Sequence, residues 1–483
     1  MSYQVPKHID KNKIFIINHS MIRKRLDVHY NKPEYSELLH SLSNHKFTLT
    51  KIGDNSISLF SGITPKSGGD AYIQKEGVPF VRSGDFSENN EIDFSQLLLL
   101  RKEVHDTIMR GSQLKEGDLL IAIVGATIGK VGVYQYNIEA NINQAICAVR
   151  FKKTLNPYYV QAFFQTNIGQ KIIDRIKRPV ARANINLEEV SSLPIPLLDI
   201  QQQTEIVRIM EQGRNAMKEK NKEAQLLLDS IDSYVLSELR FTFSKKESKL
   251  NNKIFFVNRG NLEGRLDPTF YYADISSLTH CTYSERLSVL AYSFTPGFAV
   301  GRQDQVEEEE GILQIRPTNI DNNGRLKYDR NVYVPELEEV PFVESGVVLF
   351  NNTNSQEWVG KTAYFANEEN RKVYTSNHIT AIEVDRSKIL PEYLCAILNM
   401  YQRHKIFYSI CTNWNNQSGI GLDLLKSLHI PLFTNDRKES LRRQQEIVDR
   451  INAIYKEADE CILSANQIMN EAKAKVESMI IGE

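Results

Sequence analysis

The chain repeats itself. "NKIFIINHSMIRKRLDVHYNKPEY" at residues 12–35 returns as "NKIFFVNRGNLEGRLDPTFYY" at 252–272, with Arg25-Leu26-Asp27 and Arg265-Leu266-Asp267 lying 240 positions apart. Further blocks follow in the same order. "VPFVRSGDF" (78–86) is answered by "LQIRPTNI" (313–320), and "GDLLIAIVGATIGKVGVY" (117–134) by "SGVVLFNNTNSQEWVGKTAYF" (345–365). "NQAICAVRF" (143–151) is answered by "NHITAIEVD" (377–385), and "NPYYVQAFFQT" (156–166) by "PEYLCAILNM" (391–400). "LEEVSSLPIPL" (187–197) is answered by "LDLLKSLHIPL" (422–432). One match of this kind can arise by chance, but an ordered series cannot. So long a period predicts two tandem domains of one fold rather than a solenoid.

Each copy reads as mixed α/β. "DLLIAIVGA" and "GVVLFNN" are short apolar runs bounded by Gly or Asn, as buried strands require. Asn156 and Pro157 open a segment with apolar residues at helical spacing. "LPIPL" and "LHIPL" end each copy in a proline-stiffened exit. Beyond each exit the periodicity changes. Ile206, Met210, Gly213, Met217, Lys220, Ala224, Leu227, Ile231 and Tyr234 recur at alternating steps of four and three. Ile447, Ile451, Ile454, Ala458, Cys461, Ala465, Ile468 and Ala472 do the same. These are heptad seams of coiled-coil helices. The first, about 43 residues, would reach roughly 65 Å at 1.5 Å per residue. The seams are expected to pack on each other within the chain, antiparallel, with a homodimeric coil as the alternative. The resulting expectation is an α+β chain divided into 1–198, a helix at 199–244, 250–433 and a helix at 434–483.

Charge separates what the motifs unite. Residues 1–198 hold 25 Lys and Arg against 19 Asp and Glu, a net of +6, whereas 250–433 hold 17 against 22, a net of −5. No apolar run reaches the roughly 18 residues that span a bilayer, and the N-terminal residues show no apolar signal core. A cytoplasmic location is expected. The cysteines at 147, 281, 395, 411 and 461 include no CxxC pair, which points to reduced, buried thiols.

Several motifs fail on inspection. "VGATIGKV" has one residue too few between Gly125 and Gly129 for a phosphate loop and places Val131 where a hydroxyl is needed. Its counterpart "SQEWVGKT" has Ser355 at the first glycine position. "NPYY" at 156–159 resembles the base-gripping motif of amino-methyltransferases, but the other copy reads "LPEY", so helix capping explains both. The histidines show no zinc-ligand spacing. No catalytic constellation emerges, and no metal site is expected.

"RLDVHY"/"RLDPTF", "GDLLIAIVGATIGKVGVY", "LPIPLLDIQQQTEIV" and "LHIPLFTNDRKESLRRQQEIV" together resemble the specificity (S) subunit of type I restriction–modification systems. The resemblance covers essentially the whole chain, with "FTNDRKESLR" as an insertion before the second helix. It implies two target-recognition domains separated by two long antiparallel coiled-coil helices. In that family the subunit is non-catalytic, and each domain reads half of a bipartite double-stranded DNA target while the helices set the spacer. Two adenine methyltransferase (M) subunits dock on it, restriction/translocase (R) subunits can join, and S-adenosylmethionine sits in the M partner, so no cofactor is expected here. A fused methyltransferase/nuclease and a scaffold without a DNA role are the alternatives.

Polar residues in loops that differ between the copies are the candidate DNA contacts. They are Lys66, Arg82, Lys130, Arg182 and Asn184 in the first copy, and Arg302, Arg316, Lys361, Trp414, Asn415 and Asn416 in the second. Arg binds guanine and Asn binds adenine bidentately. Residues that recur, Arg25, Asp27, Arg265 and Asp267 with Gln202, Glu205, Gln445 and Glu446 at the helix starts, are the candidate partner-docking set. An internal Arg–Asp pair holding the first segment is the competing reading of Arg25 and Asp27.

Overall fold

The computed structural model describes residues 10, 13–17, 25–43, 47–66, 69–87, 91–94, 97–178, 183–243, 256, 283–367, 369–415 and 417–481. The chain divides into two compact units, Met1–Asn221 with Ile462–Glu483, and Lys222–Cys461. Each unit contains one globular domain and a stretch of both long helices.

In the first unit the central sheet is antiparallel, in the order Ser56–Ser61, Ile146–Phe151, Leu119–Ala122, Val131–Val133. Its inner strands are buried on every residue of Leu119–Ala122, which is why they read as continuous apolar runs and not as alternation. A second sheet joins Val78–Val81 in parallel to Asn141–Ile142. The strand Thr48–Lys51 pairs with the exit strand Pro194–Leu197, closing the domain on itself.

The second unit repeats this plan. Ala291–Pro296, Ile379–Val384, Val347–Asn351 and Thr362–Phe365 form the antiparallel sheet. Ile312–Ile315 runs parallel to Val373–Thr375, and Ser284–Arg286 closes on His429–Pro431. Gly62 and Gly297 mark the same crossing in the two units. A Cβ on Gly62 would stand 1.7 Å from the Ile142 carbonyl oxygen, and one on Gly297 would stand 2.2 Å from that of Thr375. Only glycine fits so close an approach.

The helix Pro157–Gln165 starts as the sequence suggested, with the Asn156 side chain accepting from the Tyr158 amide at 2.9 Å. Its counterpart, Pro391–Arg403, packs on the second sheet. Tyr159 and Tyr393 are buried at matching positions. Each donates its hydroxyl to the carbonyl of the matching proline in the exit strand, Pro196 at 2.7 Å and Pro431 at 2.9 Å.

The long helices are Ile200–Glu238, of 39 residues, and Arg437–Ile481, of 45. The first ends earlier than the expected 244. The second begins at Arg437, just inside the expected 434, where Asp436, within the insertion, caps it by accepting from the Lys438 and Glu439 amides. In the first unit Gly213 faces Ala472, and Lys475 lies near Glu205. In the second unit Glu238 pairs with Arg443, and Ile231 lies with Val448 and Ile451. In both units rising numbers on one helix meet falling numbers on the other, so the pairing is antiparallel. A Cβ on Gly213 would stand 2.7 Å from the Ala472 Cβ, so the small residues permit the close contact. Among the described residues no helix is long and apolar enough to cross a membrane.

Candidate nucleic-acid interface

In the second unit the polar run after strand Val347–Asn351 does not stay a loose loop. Thr353–Asn354 pairs with Gln417–Gly419, which forms a hairpin with Thr412–Trp414. Asn415 turns this hairpin with φ 29°, a left-handed conformation that Asn tolerates. The Trp414 ring lies over Gly419, where a Cβ would stand 2.5 Å from it, and the side chain remains 47% exposed. Beside the hairpin runs a groove of about 580 Å³ whose walls include Arg316, Arg330, Asn354, His378 and Gln417.

Arg316 enters this groove from the end of strand Ile312–Ile315. Its amide donates to Asn319 Oδ1 at 3.0 Å, and its guanidinium donates to Gln314 Oε1 at 3.1 and 2.9 Å. The guanidinium is thus held by a neutral amide, and burial lowers its pKa. Its counterpart, Arg82, is held differently. Asp85 takes the Arg82 amide at 2.7 Å and the guanidinium at 3.1 and 2.8 Å, and this bond raises the Arg82 pKa. The first arginine is neutralised within its turn, whereas the second keeps its charge for whatever enters the groove. A net-acidic domain can therefore still present a cationic, hydrogen-bonding surface locally.

The other predicted contacts fall into three groups. Lys66, Asn184, Arg302 and Asn415 are exposed, and Asn184 bridges to Val124 at the position where the second unit has its hairpin. Lys130 and Lys361 have internal work. Lys130 Nζ donates to the Phe86 and Ser87 carbonyls at 3.0 and 3.3 Å, and Lys361 Nζ to the Ile320 carbonyl at 2.8 Å. Burial also lowers the Lys361 pKa. Both lysines hold the turn that follows Arg82 or Arg316. Arg182 and Asn416 lie outside the described residues, as do Arg265 and Asp267. Sequence reasoning missed Arg330, Asn354, His378 and Gln417, which come together only through the hairpin pairing. The polar run "NNTNSQ" after a buried strand was the available signal.

Arg25 and Asp27 form an internal clasp. Arg25 Nε donates to Asp27 Oδ2 at 2.7 Å, and the same guanidinium reaches the Ile176 carbonyl at 2.7 Å, the Lys177 carbonyl at 3.2 Å and Glu189 Oε1 at 3.0 Å. Asp27 Oδ1 takes the Tyr30 amide at 2.9 Å. The competing reading, a pair that ties down the first segment, describes them. The clasp leaves Leu26 81% exposed.

At the helix starts, Gln202 and Asp199 cap each other at 2.8 and 3.3 Å, and Gln445 donates to Asp449 at 2.8 Å. These two are not counterparts. The repeated pair is Gln203 and Gln444, both buried. Gln203 Oε1 accepts from the Asn156 amide at 2.8 Å, and Gln444 Oε1 from the Leu390 amide at 2.9 Å. Glu205 and Glu446 do correspond, and both are tied to arginines on the same helix, Arg208 and Arg442.

The family described as the type I restriction modification DNA specificity domain matches residues 44–227. The type I restriction enzyme EcoBI specificity subunit of Escherichia coli is 30% identical over 139 residues, which is 29% of this chain and 29% of that relative's length. A solved chain from a study of complex assembly and conformational transition in the type I R-M system aligns over 90% of this chain and 99% of its own. Its TM-score is 0.50 at 11% identity. A second, the S subunit of a type I restriction–modification system from M. genitalium, aligns over 89% and 96% with a TM-score of 0.37 at 12% identity.

Proposed function

We propose, on the premise that this chain belongs to the specificity-subunit family of type I restriction–modification systems, that it is the non-catalytic subunit that reads DNA for such a complex. Each globular domain would read one half of a bipartite duplex target, and the long helices would fix the gap. Two adenine methyltransferase subunits would dock on the repeated surfaces and bring S-adenosylmethionine, and restriction/translocase subunits would join where present. The working location is the cytoplasm.

The observation that carries this reading is the contrast between frame and edge. Sheet order, exit strand, buried tyrosine and buried glutamine repeat, while the residues exposed at matching edges do not: Asn184 stands where the Trp414 hairpin stands. A repeated frame suits two identical partners, and divergent polar edges suit two different base sequences. Arg, Asn and Gln on a groove wall are the side chains that discriminate base edges, each good pair worth about 1–3 kcal/mol. The test is binding of the chain, assembled with its methyltransferase, to target and scrambled duplexes across a salt series. Sequence-specific binding with a steep negative salt slope supports the reading. Equal, salt-insensitive retention of both duplexes would leave a scaffold instead.

A further inference from the structure

The first unit contains a cationic cavity beside its stretch of the long helices. It has a volume of about 300 Å³, and Lys130, Gln165, Gln170, Arg214 and Lys473 line it with Met217 and Met469. No Asp or Glu is among its lining residues. Arg214 comes from the first long helix and Lys473 from the second, while Gln165 and Gln170 come from the domain's own helices.

The second unit shows what the same position looks like when its charges are satisfied. The register set by Gln203 and Gln444 makes Asp232 the counterpart of Lys473 and Tyr455 that of Arg214. Asp232 is taken up by Arg403, with its Oδ2 accepting from Nε at 2.8 Å. Tyr455 donates to the Asn323 carbonyl at 2.8 Å. The second unit also has a cavity here, of about 590 Å³, but Glu392 is in its wall and its Arg403 is paired with Asp232, whereas the first unit's cavity holds Arg214 and Lys473 with no acid in its lining.

Neither Arg214 nor Lys473 makes an ion pair among the described residues. Glu211 and Glu91 act on Arg214 from a distance, and burial outweighs their attraction and lowers its pKa. The Lys130 amine is occupied by the Phe86 and Ser87 carbonyls and adds only field. Withdrawing a cation from water without a partner is unfavourable, and an anion seated between Arg214 and Lys473 removes that penalty. Arg supplies a fork of donors matched to a tetrahedral oxyanion, and Lys supplies a point charge.

We propose that the cavity between Arg214 and Lys473 binds a phosphate-class oxyanion, either free or carried by a nucleotide. The test titrates the full-length chain calorimetrically with inorganic phosphate, a nucleoside triphosphate and the matching nucleoside. Saturable phosphate binding is expected, with no heat from the nucleoside. Tighter binding of the triphosphate would identify a nucleotide as the carrier, and equal binding would identify the free anion. Arg214→Gln and Lys473→Gln should each weaken binding at least tenfold, and Lys473→Asp should abolish it. All three should melt no lower than the parent in phosphate-free buffer. A parent that binds neither phosphate nor triphosphate overturns the proposal, as do folded variants that bind as tightly as the parent. Loss of methyltransferase co-purification in the variants, with no phosphate bound by the parent, would assign the cations to a partner's carboxylate and equally overturn it.

Discussion

Lys218 on the first long helix donates to Glu91 of its domain at 2.7 Å, and at the matching place Arg325 of the second domain donates to Asp459 of the second helix at 2.7 and 2.9 Å. The positions correspond because the bridges Phe86↔Ile92 and Ile320↔Leu326 flank them identically. The polarity is reversed. Both pairs are half-exposed, so each contributes within the 0.2–1 kcal/mol typical of exposed pairs, about 0.5 kcal/mol. Glu91→Lys should destabilise the first unit by roughly that amount or somewhat more, and adding Lys218→Glu should restore it. A double-mutant cycle by denaturant unfolding reads the coupling. Additive effects would show that the pair contributes nothing.

Gln203 is a stronger anchor than its half-buried neighbour Gln202. It accepts from the Asn156 amide and donates to the Thr154 and Leu198 carbonyls at 3.0 and 2.9 Å. Gln203→Ala leaves buried backbone groups unpaired and should cost about 2–4 kcal/mol, whereas Gln202→Ala removes a cap worth about 1 kcal/mol. Thermal unfolding of the two variants decides the order. A smaller loss for Gln203→Ala would show that water replaces it.

The N-terminal clasp should be sensitive to acid. Burial works against the charged Asp27 carboxylate, but Arg25 and the Tyr30 amide outweigh it and hold its pKa below the usual range. At Asp174 burial is likewise outweighed, by the Tyr35 hydroxyl and Lys177. A depressed carboxylate pKa contributes stability above the unfolded value, about 3.9, and loses it as pH falls through the folded value. Protection of residues 25–35 from proteolysis should therefore decline below about pH 4 before the central sheet opens. Asp27→Asn should remove much of that pH dependence. An unchanged profile in the variant would place the acid sensitivity elsewhere.

The helices can be tested as a ruler. Inserting four residues near the middle of each long helix adds about 6 Å, in the step a heptad seam tolerates best. A base pair advances about 3.4 Å. The variant should methylate the same half-sites separated by one or two more base pairs, as read by methylome sequencing. An unchanged gap would show that the helices are not the spacer.

The repeat made the architecture legible because the residues that build the frame are those that burial constrains. Apolar strands, the Tyr159 and Tyr393 positions and the heptad seams must recur if the fold recurs. Repetition was less informative about purpose. Arg25 and Asp27 clasp the chain in the first unit, and Lys130 and Lys361 hold a turn. The sequence also matched Asn143 with Asn377, whereas strand register sets Cys147 opposite Ser61 and Thr380 opposite Pro296, a slip of one residue. The reading edge was the least legible part. Arg330, His378 and Gln417 are far apart in sequence and meet only when Thr353–Asn354 pairs with the hairpin, a non-local contact that no periodicity encodes.

The most direct measurement is methylome sequencing of cells expressing the parent chain, Arg316→Ala or Trp414→Ala with the methyltransferase subunits. The account predicts that the parent gives one bipartite methylated sequence. Each variant should relax the bases of one half-site, by a tenfold or greater loss of discrimination, and leave the other half-site and the gap intact. A methylome that does not depend on the chain, or variants that alter both halves equally, would contradict two separate reading domains.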